Sequence, residues 1–162
     1  MKKLYFMRHA KSDWLGDVDD KDRIINYIGI NEAKKIAAEI IKKEIKFDKI
    51  ICSPAKRAYQ TAEIIKNKIG FSDEIIIEES FYFDYQKEIL KVIKNIDNQA
   101  QSVLLVGHNP TWSQMVSQLK KSPGKIYLDN ANFVCLSADF NDWKEANYEK
   151  FDFDYIISPK NL

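Results

Sequence analysis

Short unbroken apolar runs, each followed by a stretch with helical spacing, constrain this 162-residue chain more than any other feature. "KKLYFM" leads through the polar loop "DVDDKDR" and the turn residue Gly29 into "INEAKKIAAEIIKKE". "FDKIICS" leads into "SPAKRAYQTAEIIKNKIG", which Gly70 closes, and "EIIIEE" leads into "DYQKEILKVIKNI". "SVLLVGHNP" leads into "TWSQMVSQLKK". A strand buried on both faces reads as a continuous apolar run, and a covering helix repeats its apolar residues every three to four positions. The alternation therefore predicts an α/β fold: a three-layer α/β/α sandwich around a mostly parallel sheet. The tail changes character. "NFVCLSADF" and "NYEKFDFDYII" alternate more, which predicts two further strands, a hairpin around "NDWKEA", and an antiparallel strand at the C-terminal end of the sheet.

In such a sheet ligands bind at the carboxyl ends of the strands. Three of those ends carry unusual residues. Arg8 and His9 follow the first run, Arg57 follows the second and His108 follows the fourth. These are the chain's only two histidines. Helix-start chemistry accompanies two of the ends: Ser53 is placed as an N-cap with Pro54 at the first helical position, and Asn109 and Pro110 repeat the pattern. Arginine forks, imidazoles and free N–H groups at helix starts converge on one edge, and the guest that suits them is a phosphoryl group. An arginine holds two phosphate oxygens without losing its charge. A neutral imidazole can attack phosphorus in line and carry the group as a phosphohistidine. A second imidazole, when protonated, adds a donor to the transferring group.

Composition narrows the partners. A net charge of +1 argues against nucleic acid and against an anionic membrane surface. The apolar run near the start of the chain is four residues long, too short for a secretory leader, and no run approaches a membrane span. Cys52 and Cys135 sit in apolar segments and are expected to be free buried thiols, which suits a reducing cytoplasm. Two His and two Cys make a dedicated zinc site improbable, so no cofactor is expected.

"MRHAKS", "CSPAKRAYQTAE" and "VLLVGHNP" together resemble, in order and context, the signatures of the histidine phosphatase superfamily, also called phosphoglycerate mutase-like. "RHAKSDW", the length and the closing "ISPKNL" are most similar to its small bacterial phosphohistidine phosphatase group, typified by SixA. The resemblance implies that His9 is the nucleophile, that Arg8 and Arg57 bind phosphoryl oxygens, that His108 stabilises the transition state, and that no metal takes part. It also points to Ser12 as a substrate contact. An acidic residue after the third strand is the general acid in many members; Glu78, Glu79 and Asp84 are available here, and Glu79, at the end of the apolar run, is preferred. Three departures stand out: "RHA" lacks the glycine of "RHG", "DRIINYIG" lacks a proline after Arg23, and "DNANFVCL" puts Asn130 and Asn132 where a Pro/Thr/Ala-rich turn is expected.

One helix, one strand and another helix use up the chain between Arg57 and His108, so a single domain over residues 1–162 without a large capping insertion is expected. An open pocket of that kind suits phosphohistidine displayed on a protein. The alternatives are a small phosphate ester (a sugar phosphate or nucleotide) handled by the same chemistry, or a phosphate-binding module without turnover.

Overall fold

The computed structural model describes residues 1–14, 16–82 and 85–162. Four strands run parallel: β1 (Lys2–Arg8), β2 (Lys49–Cys52), β3 (Ile76–Ile77) and β4 (Ser102–Gly107). The tail adds β5 (Phe133–Ala138), antiparallel to β1, and β6 (Asp152–Ile157), antiparallel to β5. The sheet order is β3-β2-β4-β1-β5-β6, so β5 alone runs against the others and β6 returns to their direction. The predicted hairpin forms, with a 3₁₀ turn at Trp143–Glu145 in its connection.

The helices are α1 (Tyr27–Lys42), α2 (Lys56–Ile69), α3 (Gln86–Lys94) and α4 (Thr111–Leu119). Alternate residues of β1 feed opposite cores. Leu4 and Phe6 join Val103, Leu105, Trp112, Met115 and Ile89 beneath α3 and α4. Tyr5 and Met7 join Leu104, Val106, Ile36, Ile40 and Ala62 beneath α1 and α2. This two-sided burial is why the run has no polar alternation. Both cysteines are buried and free, Cys52 and Cys135 alike. Among the described residues no helix is long and apolar enough to cross a membrane.

The boundaries differ from the sequence expectations in instructive places. The third strand, expected over 74–79, shrinks to Ile76–Ile77, both exposed at the sheet edge beside β2. Gly29 is not a turn before α1 but lies in its first turn, where Asn26 caps the helix by accepting from the Gly29 amide at 2.9 Å. A Cβ on Gly29 would strike the Lys11 carbonyl, so close packing rather than a turn requires glycine there. Helix α2 starts at Lys56, not Pro54, and Pro110 occupies the N-cap position of α4 rather than its first turn.

Candidate active site

Strand pairing carries the first pair of residues to the sheet edge. Arg8 ends β1, and the His9 amide still donates to the Gly107 carbonyl of β4 at 3.0 Å. Beyond it the Ala10 amide donates to Thr61 Oγ1 at 2.9 Å, and Thr61 donates to the Arg57 carbonyl at 2.7 Å, so the turn after His9 is tied to α2. Ala10 is absent from the positive-φ residues, so this turn has no need of the family's glycine. The loop 129–132 closes the other side: the Ala131 amide donates to the Arg8 and His9 carbonyls, and Asn130 Nδ2 to the His9 carbonyl at 3.2 Å. Asn130 is therefore occupied in holding this turn. Ala131 has φ 59°, the left-handed conformation that lets the loop reach back to β1.

His9 Nδ1 lies 2.8 Å from the Ala10 carbonyl oxygen. A carbonyl only accepts, so the proton sits on Nδ1 and Nε2 keeps its lone pair. Burial, joined by the charges of Arg57, Arg8 and Arg23, pushes the His9 pKa down to about 3 against the pull of the Ala10 carbonyl. The ring is neutral at physiological pH. The His108 ring lies 5.3 Å away between centroids, and burial, His9 and Arg57 push its pKa down to about 2. The protonated second imidazole considered from the sequence is thus disfavoured by its surroundings. A neutral His108 can still donate. Ser53 Oγ accepts from the Ala55 amide at 3.2 Å and lies 2.7 Å from His108 Nε2. When that nitrogen takes the hydroxyl proton, Nδ1 carries the imidazole proton and can donate. Ser53 is less a helix cap than the hydrogen-bond partner of His108 Nε2.

The arginines are held by their tips. Arg8 Nη1 donates to the Leu128 carbonyl at 3.2 Å, which also receives Asn109 Nδ2 at 2.7 Å. Arg57, buried in the first turn of α2, donates through Nη1 to the Asp20 carbonyl at 2.7 Å and through Nη2 to Asp20 Oδ2 at 3.1 Å. Arg23 Nε lies 3.1 Å from Asp20 Oδ1 as an ion pair without hydrogen-bond alignment, and its guanidinium stacks 3.7 Å from the Trp14 ring. Tyr82 donates to Asp20 Oδ2 at 2.8 Å and its ring packs edge-on to His108 at 5.8 Å.

Among the described residues five buried side-chain polar atoms lack a hydrogen-bond partner: Arg8 Nε, Arg23 Nε, Arg57 Nε, His108 Nδ1 and Asn132 Nδ2. Four belong to the groups around His9, and the fifth to the loop capping β1. Buried donors without acceptors cost free energy, and an oxyanion placed among them could satisfy them.

The other sequence candidates fall outside this inner set. Glu79 opens a 3₁₀ turn, is two-thirds exposed, and pairs with Lys21 at 3.8 Å. Glu78 turns back to Ser80, accepting from its hydroxyl at 2.9 Å. Asp84 lies outside the described residues. Ser12 pairs through its backbone with Ile25, and among the described residues no hydrogen bond joins it to His9, Arg8, Arg57 or His108. Asp20 and Tyr82 were missed. "DVDDKDR" reads as a solvated polar loop, and the one signal in it was the acid three residues before Arg23.

Residues 4–82 match the model of the histidine phosphatase superfamily (branch 1). A Mycobacterium tuberculosis protein of uncharacterized function is 29% identical over 118 residues, spanning 73% of this chain and 72% of its own. The protein histidine phosphatase SixA, in a tungstate complex, superposes with TM-score 0.87 at 19% identity, covering 99% of each chain. A mutant phosphoserine phosphatase of Entamoeba histolytica, in complex with phosphoserine, superposes with TM-score 0.68 at 17% identity, covering each chain fully. Just under half of the chain thus matches the histidine phosphatase superfamily, and the chain is a phosphatase. Within that class it has the compact SixA-type fold.

Proposed function

We propose that this chain is a metal-independent phosphatase that removes the phosphoryl group from phosphohistidine on a protein, with His9 as the nucleophile. The observation that carries the proposal is the neutral His9, its Nδ1–H committed to the Ala10 carbonyl and its Nε2 left to attack. Nε2 attacks phosphorus in line, the bond from phosphorus to the substrate nitrogen breaks, and the departing imidazole takes a proton from solvent. Water then attacks the phosphohistidine, the bond from phosphorus to Nε2 breaks, and inorganic phosphate leaves with His9 restored. Arg8 Nε, Arg57 Nε and His108 Nδ1 are the donors for the phosphoryl oxygens, where positioning and charge neutralisation supply most of the catalysis.

Among the described residues the nearby carboxylates favour a phosphoramidate over an ester. Glu79 is engaged by Lys21 and Glu78 by Ser80. Burial works against ionisation of Asp20, but the Tyr82 hydrogen bond and the Arg57 charge outweigh it and hold its pKa below the usual carboxylate range. None of the three is set up as an acid, and an alkoxide leaving group needs one far more than an imidazole does.

The test is phosphate release from a phosphohistidine-bearing phosphotransfer domain and from a panel of small phosphate esters, with His9→Ala as control. Preferential release from the phosphoprotein, lost by at least about 10³-fold in the variant as expected for removal of a nucleophile, is the expected result. Preference for one ester would keep the mechanism and replace the substrate. Retained turnover in His9→Ala would remove His9 from its role, and loss of activity to a chelator, restored by a divalent ion, would overturn the metal-free reaction.

A further inference from the structure

Asp20 is the hub of the outer side of the pocket. Its carbonyl and Oδ2 take both terminal nitrogens of Arg57, its Oδ1 faces Arg23 Nε at 3.1 Å, and Oδ2 also accepts from Tyr82. The loop that carries it is fastened on two further sides, by Lys21 to Glu79 and by Lys56 to Asp22 at 3.6 Å. Two consequences follow. Asp20 takes one N–H from each terminal nitrogen of Arg57, while the buried Nε–H is without a partner and faces no competing acceptor. Arg23, the third guanidinium near His9, is neutralised by the same carboxylate and pinned against Trp14.

We propose that Asp20 is a specificity-determining residue: by bonding Arg57 and pairing its charge with Arg23 it fixes a negative charge at the outer side of the pocket and rejects substrates whose phosphoryl group has a carboxylate beside it. The inference rests on the reading of the pocket as a phosphoryl site and deepens it. A fixed carboxylate one hydrogen bond from the phosphate-binding arginine repels a second anionic group. It also holds the one guanidinium that could otherwise receive that group. Phosphohistidine within a protein carries no such neighbour. Small metabolites such as phosphoserine or phosphoglycerates do.

The test separates this from the catalytic proposal by reading binding alone. Calorimetry on His9→Ala, with and without Asp20→Asn, compares ethyl phosphate with phosphoglycolate, which differ by the carboxylate. Asparagine keeps the Tyr82 contact and the backbone contact to Arg57, and circular dichroism checks the fold. Asp20→Asn is expected to raise the phosphoglycolate-to-ethyl phosphate affinity ratio about fivefold or more, the order expected for removing one partly screened charge. Adding Arg23→Gln should abolish that gain, and raised salt should shrink it. An unchanged ratio, or equal change for both ligands, would reduce Asp20 to a structural brace and overturn the proposal. Failure of both ligands to bind every variant would overturn the phosphoryl-site reading as well.

Discussion

The proton on His9 Nδ1 is held by a carbonyl one residue away, and burial, joined by the charges of Arg57, Arg8 and Arg23, keeps the ring neutral. This has a measurable consequence for stability. In the unfolded chain both imidazoles titrate near their ordinary value of about 6.5, whereas the fold depresses His9 to about 3 and His108 to about 2. Between those values the unfolded chain binds protons that the folded chain refuses. Stability is therefore complete above the unfolded value and is lost as pH falls toward the folded ones. Each histidine contributes a slope of up to about 1.4 kcal/mol per pH unit. Urea midpoints followed from pH 7 to pH 4.5 should fall, and His9→Asn should remove about half of the histidine-linked slope. A slope untouched by the variant would show that His9 titrates normally in the fold.

The strands and helices act on the site through close packing at their ends. Gly107, the last residue of β4, lies under Trp112, and a Cβ there would come within 2.5 Å of the buried indole. Trp112 is locked by its donation to the Leu105 carbonyl and by edge-on contacts with Phe6 and Phe81. It has nowhere to move, so Gly107→Ala should cost about 1–3 kcal/mol by overpacking. Since His108 follows directly, kcat should fall as well. Thermal unfolding and turnover check this, and a variant as stable and active as the wild type would mean that the indole can give way. Gly29→Ala sets propensity against packing. Alanine is worth up to about 1 kcal/mol in a helix interior, but here its methyl group meets the Lys11 backbone. Net destabilisation is the expected outcome of denaturant unfolding, and a gain in stability would show that α1 can shift away from residue 11.

At the scale of the whole molecule, binding at the strand ends should be felt by the entire sheet. β1 lies between β4 and β5, with one core on each of its faces, so an oxyanion held at the end of β1 stabilises every layer that β1 joins. Vanadate at a hundred times its Kd should add about 2.7 kcal/mol, which for a chain of this size raises Tm by about 5–10 °C. Arg57→Ala should cut that shift by more than half, because Arg57 supplies a buried donor and a full charge. An unchanged shift in the variant would place the anion elsewhere.

The local pattern of this chain carried most of the fold. Continuous apolar runs require strands buried twice, helical spacing requires their covers, and both follow from the amphipathicity of neighbouring residues. The runs also set which residues stand at strand ends, so the gathering of Arg8, His9, Arg57 and His108 at one edge was legible. Tertiary structure decided what those residues are able to do. The His9 tautomer depends on a turn held from α2 and from the loop 129–132, the hydrogen bond of His108 Nε2 on Ser53, and the orientation of Arg57 on Asp20. The same holds for the shortened third strand, whose residues satisfy a strand pattern but have only β2 to pair with. Hydrogen bonds between residues 37 or 55 positions apart leave no trace in local periodicity, because they are set by the way layers stack and not by the spacing along any one element.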